Sequence, residues 1–126
     1  MRLLLDTQAF IESNSGTLPP RAAAAVKDGA NELFMSIISL AEIDLLTRKK
    51  RFAISSGEAF VAHLRRAGIA VLPFTTGAML HLFRLPMHHR DPFDRMIIST
   101  ALDEDMHVIA GDQQFQKYKG LKLIWH

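Results

Sequence analysis

The chain has 126 residues, of which 48% are hydrophobic and 22% charged, values that are ordinary for one globular domain. It contains no cysteine, which excludes disulfides, thiolate nucleophiles and cysteine-ligated zinc or iron–sulfur sites. Its 15 Lys plus Arg and 13 Asp plus Glu give a net charge of +2, too small to indicate nucleic-acid binding by itself. No run of 18 apolar residues and no leader-like N-terminus occurs, so we expect a cytoplasmic protein without a membrane-spanning segment.

Short apolar runs alternate with helical patterns along the chain. Strands are predicted at residues 3–5, 33–36, 69–72, 108–110 and 121–124. Helices are predicted at residues 7–13, 19–27, 39–51, 55–67, 76–85 and 92–105. Strands separated by helices indicate βαβ units. We therefore expect a single domain over residues 1–126, of the α/β class, with helices on both faces of a mainly parallel sheet of about five short strands.

Four acidic residues fall where such a sheet would bind a ligand. Asp6 directly follows the first predicted strand and Asp112 closely follows the fourth, and ligands bind beyond the carboxyl ends of parallel strands. Glu42 and Asp94 are each in helical register with apolar residues three and four positions away, so each carboxylate lies at the polar end of a core-facing row. The pattern predicts that the four carboxylates share one crevice.

Helix capping is the alternative explanation for these acids. Asp6, Asp91 and Asp112 each stand where a helix begins, and Ser39-x-x-Glu42 fits a capping box. A capping side chain has no need to align with the buried face of its helix, yet Glu42 and Asp94 both do, so capping explains the four acids together less well. Both explanations remain open for each acid taken alone.

Several carboxylates in one crevice repel one another and resist ionisation unless a cation joins them. Oxygen donors without cysteine favour Mg²⁺ or Mn²⁺ over zinc. Such an ion can supply an activated water and neutralise charge on a phosphoryl oxygen. The spacing is consistent with metal-assisted phosphodiester hydrolysis, and it does not identify the substrate.

Four segments of the chain resemble a known family. They are Leu3-Leu4-Leu5-Asp6-Thr7, Ser39-Leu40-Ala41-Glu42-Ile43, His89-Arg90-Asp91-Pro92-Phe93-Asp94-Arg95 and Val108-Ile109-Ala110-Gly111-Asp112-x-x-Phe115. In this order and at this total length, the chain resembles the PIN-domain nucleases, in particular the VapC-like toxins of bacterial type II toxin–antitoxin pairs. The resemblance implies a three-layer α/β/α PIN-like fold. It also implies that Asp6, Glu42, Asp94 and Asp112 are the family's catalytic, metal-binding acids.

The function implied by the resemblance is that of a toxin, an endoribonuclease that hydrolyses RNA phosphodiesters with Mg²⁺ or Mn²⁺ and a metal-activated water. A small antitoxin protein would inhibit it, and a homodimer would be the basic assembly. Thr7, Ser39, Asp91 and Arg95 are candidates for supporting the site or contacting RNA. We interpret Asp91 as a helix cap or a support of the metal ligands, and Arg95 as a phosphate contact or an ion-pair partner of Asp94.

Two departures from the family pattern leave a second function open. Gln8 and Ala110 stand where the family often has other, mostly polar, residues that form hydrogen bonds around the site. The alternative is a catalytically degenerate PIN fold, or a receiver-like acidic-pocket module that binds or regulates. A receiver would need an acidic pair after the first strand and an acceptor Asp after the third, where this chain has Asp6 alone and Leu72-Pro73.

Basic, histidine and aromatic residues outside the four segments complete the expectations. Setting aside the four acids leaves 15 basic against 9 acidic residues, so a basic exterior would surround an acidic crevice. Candidate phosphate contacts are the run Arg48–Arg51, with a solvated helix end as its alternative, and Arg65, Arg66, Arg84 and Arg90. His88-His89 is interpreted as a solvated turn, because adjacent histidines lack ligand spacing. Core or interface positions are predicted for Phe10, Phe34, Phe52, Phe60 and Phe83.

Overall fold

The computed structural model describes residues 1–126 and contains five strands and six α-helices. The strands are β1 (Arg2–Leu5), β2 (Glu32–Ser36), β3 (Ile69–Leu72), β4 (His107–Ile109) and β5 (Lys122–Ile124). The helices are α1 (Thr7–Ser15), α2 (Pro20–Lys27), α3 (Ile37–Arg48), α4 (Gly57–Arg66), α5 (Thr76–Arg84) and α6 (Pro92–Glu104). Every predicted element is present with ends shifted by at most three residues, and a short 3₁₀-helix at Gln113–Lys117 was not predicted.

The five strands form one sheet in the order β3-β2-β1-β4-β5, and every neighbouring pair is parallel. The chain adds β2 and β3 on one side of β1 and then places β4 and β5 on the other. The strand order therefore switches direction between β1 and β4, and open α/β sheets bind ligands beyond the carboxyl ends of strands at such a point. Receiver folds have the order 2-1-3-4-5, so the receiver-like alternative does not fit this topology.

Side chains of β1 alternate between two hydrophobic clusters, one on each face of the sheet. Leu3 and Leu5 pack with Phe10, Ile43 and other residues of α1 to α4. Leu4 packs on the opposite face with residues of α6 and the 3₁₀-helix, including Ile97. This alternation follows from the two-residue period of a strand. The expected three-layer α/β/α architecture is confirmed.

The phenylalanines that were predicted at core or interface positions divide into buried and exposed ones. Phe10 and Phe60 are buried and meet edge to face with ring centroids 5.6 Å apart. Phe83 instead lies on α5 with 80% of its surface exposed, beside the exposed Met79 and Leu80, so it is not a core residue and its interface position stays a prediction. No helix of the fold combines the length and apolar character needed to cross a membrane.

Candidate metal centre

A cleft of about 340 Å³ lies at the carboxyl ends of the strands and is lined by Asp6, Glu42, Asp94 and Asp112. We call this cleft, with its four carboxylates, the acidic cleft. Asp6 follows β1, Asp112 follows β4, and the other two acids project from α3 and from the first turn of α6. The structure thus brings together four acids that are far apart in sequence, at the point where the strand order switches.

Burial and repulsion between charges make three of these carboxylates, Asp6, Glu42 and Asp94, hard to ionise. Burial raises the pKa of Asp6 to about 7, against the Ala9 N–H hydrogen bond that lowers it, and the charges of Glu42 and Asp112 raise it further. Burial also raises the pKa of Asp94 to about 8, with added repulsion from neighbouring acids, of which Asp91 has the largest effect. The pKa of Glu42 is raised by burial, while interaction with the Thr7 hydroxyl lowers it.

The donor set of the acidic cleft fits a divalent cation. No lysine or arginine forms an ion pair with any of the four acids. The Oε1 atom of Glu42 is buried and has no hydrogen-bond partner. Unpaired, buried carboxylates are costly unless a positive charge joins them, and carboxylate oxygens are ligands that Mg²⁺ and Mn²⁺ accept.

Two buried hydroxyl groups connect the helices that hold Asp6 and Glu42. Thr7 Oγ1 and Ser39 Oγ form a hydrogen bond at 3.0 Å, and both residues are buried. The capping-box interpretation of Ser39 is wrong: α3 begins two residues earlier, and Ser36 is its cap, accepting from the Ile38 N–H at 3.0 Å. Ser39 is therefore free to meet Thr7 beside the acidic cleft.

Capping proves compatible with a place in the acidic cleft. Asp6 caps α1, accepting from the Ala9 N–H at 2.7 Å, and Asp112 caps the 3₁₀-helix, accepting from the Gln114 N–H at 2.8 Å. Asp91 is exposed and caps α6, accepting from the N–H groups of Phe93 and Asp94. The cap interpretation of Asp91 is confirmed, and its charge still adds to the raised pKa of Asp94.

Arg95 does not form the ion pair with Asp94 considered from the sequence. Its guanidinium donates to the carbonyl oxygens of Pro86 at 2.9 Å and of Leu85 at 3.4 Å. The side chain therefore holds the loop between α5 and α6 against α6. These contacts use two of the five guanidinium N–H groups, so a phosphate contact by Arg95 stays a prediction.

The interpretation of His88-His89 as a solvated turn is wrong for His89. Its side chain is only 11% exposed, and its Nε2 lies 3.6 Å from Asp94 Oδ2. The opposite nitrogen, Nδ1, lies 2.7 Å from the hydroxyl of Tyr118. One ligand atom each from His89, Asp94 and Asp112 fall within 4.8 Å of one another. Burial lowers the pKa of His89, although the nearby charges of Asp112 and Asp91 raise it.

The sequence carried a weak signal for this histidine. His89 precedes the cap of α6 by two residues and Asp94 by five, so it belongs to the segment that leads into the site. Its neighbour His88 is exposed. The difference arises because the ring of His89 packs against Phe115 and Tyr118, with centroids 5.8 and 5.5 Å away, contacts that depend on tertiary structure.

Trp125 and Gly111 complete the wall of the acidic cleft and were not predicted from the sequence. The Trp125 ring lies so close to the Gly111 backbone that a Cβ at residue 111 would be 2.5 Å from the ring atom Cε2. Gln8 also lines the cleft. A glycine between a buried strand and an acid was the available signal, since such glycines mark close approach of another group.

A sequence model of the PIN domain matches residues 3–121. The chain belongs to the PIN domain family. PIN domains are generally nucleases. Membership of this family therefore supports a hydrolase that acts on nucleic acid. None of the curated proteins compared with it matches in sequence.

Three solved structures illustrate the fold that this PIN domain shares with known proteins. VapBC2 from Rickettsia felis, bound to a DNA fragment from their promoter, gives a TM-score of 0.73 at 16% identity, covering 98% of this chain and 97% of that one. DNA-bound VapBC from Salmonella typhimurium gives a TM-score of 0.71 at 18% identity, covering 98% of this chain and 96% of that one. VapBC-1 from nontypeable Haemophilus influenzae gives a TM-score of 0.71 at 22% identity, covering 98% of this chain and 96% of that one. At these identities the similarity establishes the fold.

Proposed function

We propose that this PIN domain is an endoribonuclease that requires Mg²⁺ or Mn²⁺ and acts as the toxin of a type II toxin–antitoxin pair. The observation that carries the proposal is the acidic cleft, in which four carboxylates from four parts of the chain converge without a lysine or arginine partner. The toxin assignment is supported by the similarity of the whole fold to VapBC toxin–antitoxin complexes.

In this proposal Asp6, Glu42, Asp94 and Asp112 hold the ion. A bound divalent ion supplies a water of lowered pKa and neutralises charge on the phosphoryl oxygens. The protein's own contribution is a rigid frame: caps fix the backbone around Asp6 and Asp112, and the bond between Thr7 and Ser39 joins α1 to α3 beside Glu42. Asp6 and Asp94, whose pKa values are raised, release protons when the cation binds.

The proposal extends to substrate and partners. Exposed arginines and lysines would contact RNA phosphates through charge, without reading sequence; the candidates are Arg48–Arg51, Arg65, Arg66, Arg84 and Arg90. A small antitoxin protein would inhibit by occupying or distorting the acidic cleft, and the toxin would form a homodimer in the cytoplasm. The neighbouring VapBC structures, which are toxin–antitoxin complexes, support the antitoxin partner.

The deciding assay uses purified, antitoxin-free protein with structured RNA and either Mg²⁺ or Mn²⁺. Glu42→Gln is expected to lower the cleavage rate at least about 100-fold, because it removes one charge from the proposed metal ligands. Asp44→Asn is the matched control, since Asp44 lies two residues further along α3, exposed and paired with Arg48 at 3.0 Å. This control should cleave at the wild-type rate.

Asp6→Asn and Asp94→Asn test the other side of the acidic cleft. Metal-dependent cleavage that survives both substitutions would show that the site is assigned to the wrong residues. A folded wild-type protein that binds metal and cleaves no RNA would instead favour the non-catalytic acidic-pocket module. Induced expression should arrest growth, and co-expression of the adjacent open reading frame should restore it; growth without arrest would contradict the toxin assignment.

A further inference from the structure

His89 is held by tertiary contacts with one ring nitrogen aimed at the acidic cleft. Tyr118, itself buried, places its hydroxyl 2.7 Å from Nδ1, and the rings of Phe115 and Tyr118 pack against the imidazole. The other nitrogen, Nε2, is buried and has no hydrogen-bond partner. A buried polar atom without a partner is costly, so its orientation toward the carboxylates calls for a ligand.

The distances around Nε2 fit a shared cation better than a direct hydrogen bond. Nε2 lies 3.6 Å from Asp94 Oδ2, beyond the range of a normal hydrogen bond. Two atoms bound to one ion at about 2.1 Å each lie roughly 3 to 4.2 Å apart. Asp112 is part of the same group, since one ligand atom each from His89, Asp94 and Asp112 lie within 4.8 Å of one another.

We propose that Nε2 of His89 is a ligand of the metal ion that Asp94 and Asp112 hold, and that Tyr118 positions the ring because its hydroxyl oxygen accepts a hydrogen bond from Nδ1–H. This inference rests on the proposed function, because it requires a metal in the acidic cleft. A histidine ligand whose second nitrogen donates to an oxygen is a common arrangement in metal sites. A mixed nitrogen and oxygen donor set prefers Mn²⁺ and other transition ions over Mg²⁺.

The opposite tautomer defines the competing arrangement. If the Tyr118 hydroxyl donated to Nδ1, Nε2 would carry the proton and could only face Asp94 as a donor. His89 would then orient a carboxylate without touching the metal. Direct detection of nitrogen on the bound ion separates the two arrangements.

The experiment uses the full chain loaded with Mn²⁺ and electron spin echo envelope modulation, which detects nitrogen bound to the ion. The unlabelled wild type should show ¹⁴N modulation, and protein labelled with [¹⁵N]histidine should show the ¹⁵N pattern instead. His89→Gln should abolish the imidazole modulation and weaken Mn²⁺ binding at least about tenfold, with a smaller effect on Mg²⁺. His88→Gln, at the exposed neighbouring histidine, is the matched control and should retain both.

Tyr118→Phe tests the positioning role separately. It should leave the ¹⁴N modulation present and weaken Mn²⁺ binding by less than His89→Gln does, because the ligand stays while its orienting partner is lost. Circular dichroism of each variant checks folding. The comparison of labelled with unlabelled wild type tests for the nitrogen ligand without any substitution, so it does not depend on a variant folding.

Each adverse result has a distinct meaning. Bound Mn²⁺ with RNA cleavage but no difference between unlabelled and labelled protein would overturn the role of His89 and leave the proposed function standing. Imidazole modulation that persists in His89→Gln would assign the nitrogen to another histidine. Absence of Mn²⁺ binding in the wild type would overturn both the metal centre and this inference.

Discussion

Charged side chains form ion pairs at one end of the central sheet, whereas the acids at the other end lack lysine and arginine partners. At the amino ends of the strands, which we call the amino edge, Arg2 pairs with Glu104 at 3.0 Å and Lys122 pairs with Asp105 at 2.8 Å. Lys122 also lowers the pKa of Asp105, chiefly through their hydrogen bond. At the carboxyl ends, the four carboxylates of the acidic cleft lie together without an ion pair to lysine or arginine.

This difference separates residues that stabilise the fold from residues that are held ready for a ligand. The pairs of the amino edge satisfy their charges within the chain, and pairs of that exposure contribute little to stability. The acidic cleft remains electrostatically unfavourable in the protein alone, as the raised pKa values of Asp6 and Asp94 show. Perturbed carboxylates in a cleft indicate a functional site, and the paired edge provides an internal reference for testing it.

The largest expected effect that separates the two edges is the pH dependence of stability in metal-free protein. The pKa values of Asp6 and Asp94 rise from 3.8 to about 7 and about 8 on folding. The folded state therefore holds the protons of these two carboxyls more tightly than the unfolded state does. The resulting stabilisation is complete below pH 4 and is lost as the pH rises through 7 and 8. We expect the free energy of unfolding to fall by about 2–4 kcal/mol between pH 5 and pH 9, after discounting for contact with water. Urea denaturation measures this change.

Mn²⁺ should remove most of that loss at pH 9, because it neutralises the ionised carboxylates. His89 acts in the opposite direction: its lowered pKa costs stability only as the pH falls below its unfolded value of about 6.5. The Asp6→Asn, Asp94→Asn double variant is the control and should show a flatter pH profile. A wild-type profile equally flat without metal would contradict the electrostatic account of the acidic cleft.

The contact between Gly111 and Trp125 offers the next largest effect. Gly111→Ala places a Cβ 2.5 Å from the Trp125 ring, so the ring must shift, and overpacking of this kind costs about 1–3 kcal/mol. RNA cleavage should fall as well, because both residues line the acidic cleft. Gly29→Ala is the matched control: a Cβ there meets nothing within 4 Å, and we expect a change within about 0.5 kcal/mol. Equal stability of the two variants would exclude the close packing of Trp125.

Asp94→Asn should stabilise the metal-free protein at pH 9 while removing its response to metal. The neutral amide avoids the repulsion that raises the pKa of Asp94, and we expect a gain of about 1–2 kcal/mol, reduced from the full electrostatic value by solvent. Thermal denaturation with and without Mn²⁺ checks both effects. Loss of stability in the metal-free variant would show that the charge of Asp94 stabilises the fold, which would contradict its role as an unpaired carboxylate held for a cation.

The order of elements and the four acids of the acidic cleft could be predicted because both depend on local patterns. Leu3 to Leu5 forms a buried run that ends at Asp6, and Ile97 and Ile98 follow Asp94 at helical spacing. Alternation of strands and helices then fixes a parallel sheet, and the carboxyl ends of its strands fall on one side. The boundaries differed where two caps competed, as at Ser36 and Ser39.

What could not be predicted depends on contacts between distant parts of the chain. His89 is buried by Tyr118, 29 residues away, and Arg95 is occupied by carbonyl groups of the loop between α5 and α6. Trp125 reaches the acidic cleft only because β5 lies beside β4. Neither periodicity nor spacing contains these contacts. That residues 1–126 form a single domain and that the four acids bind metal remain predictions.

The smallest expected effect belongs to the amino edge and completes the comparison. Arg2→Met removes the ion pair with Glu104 and keeps an apolar stem near Phe34, whose ring centroid lies 5.6 Å from the guanidinium carbon. Since both charged side chains are more than one third exposed, we expect a loss of about 0.5 kcal/mol. RNA cleavage and the response to Mn²⁺ should stay at wild-type values. A double-mutant cycle with Glu104→Gln measures the pair directly, and a fall in cleavage comparable to that of Glu42→Gln would show that the two edges are coupled.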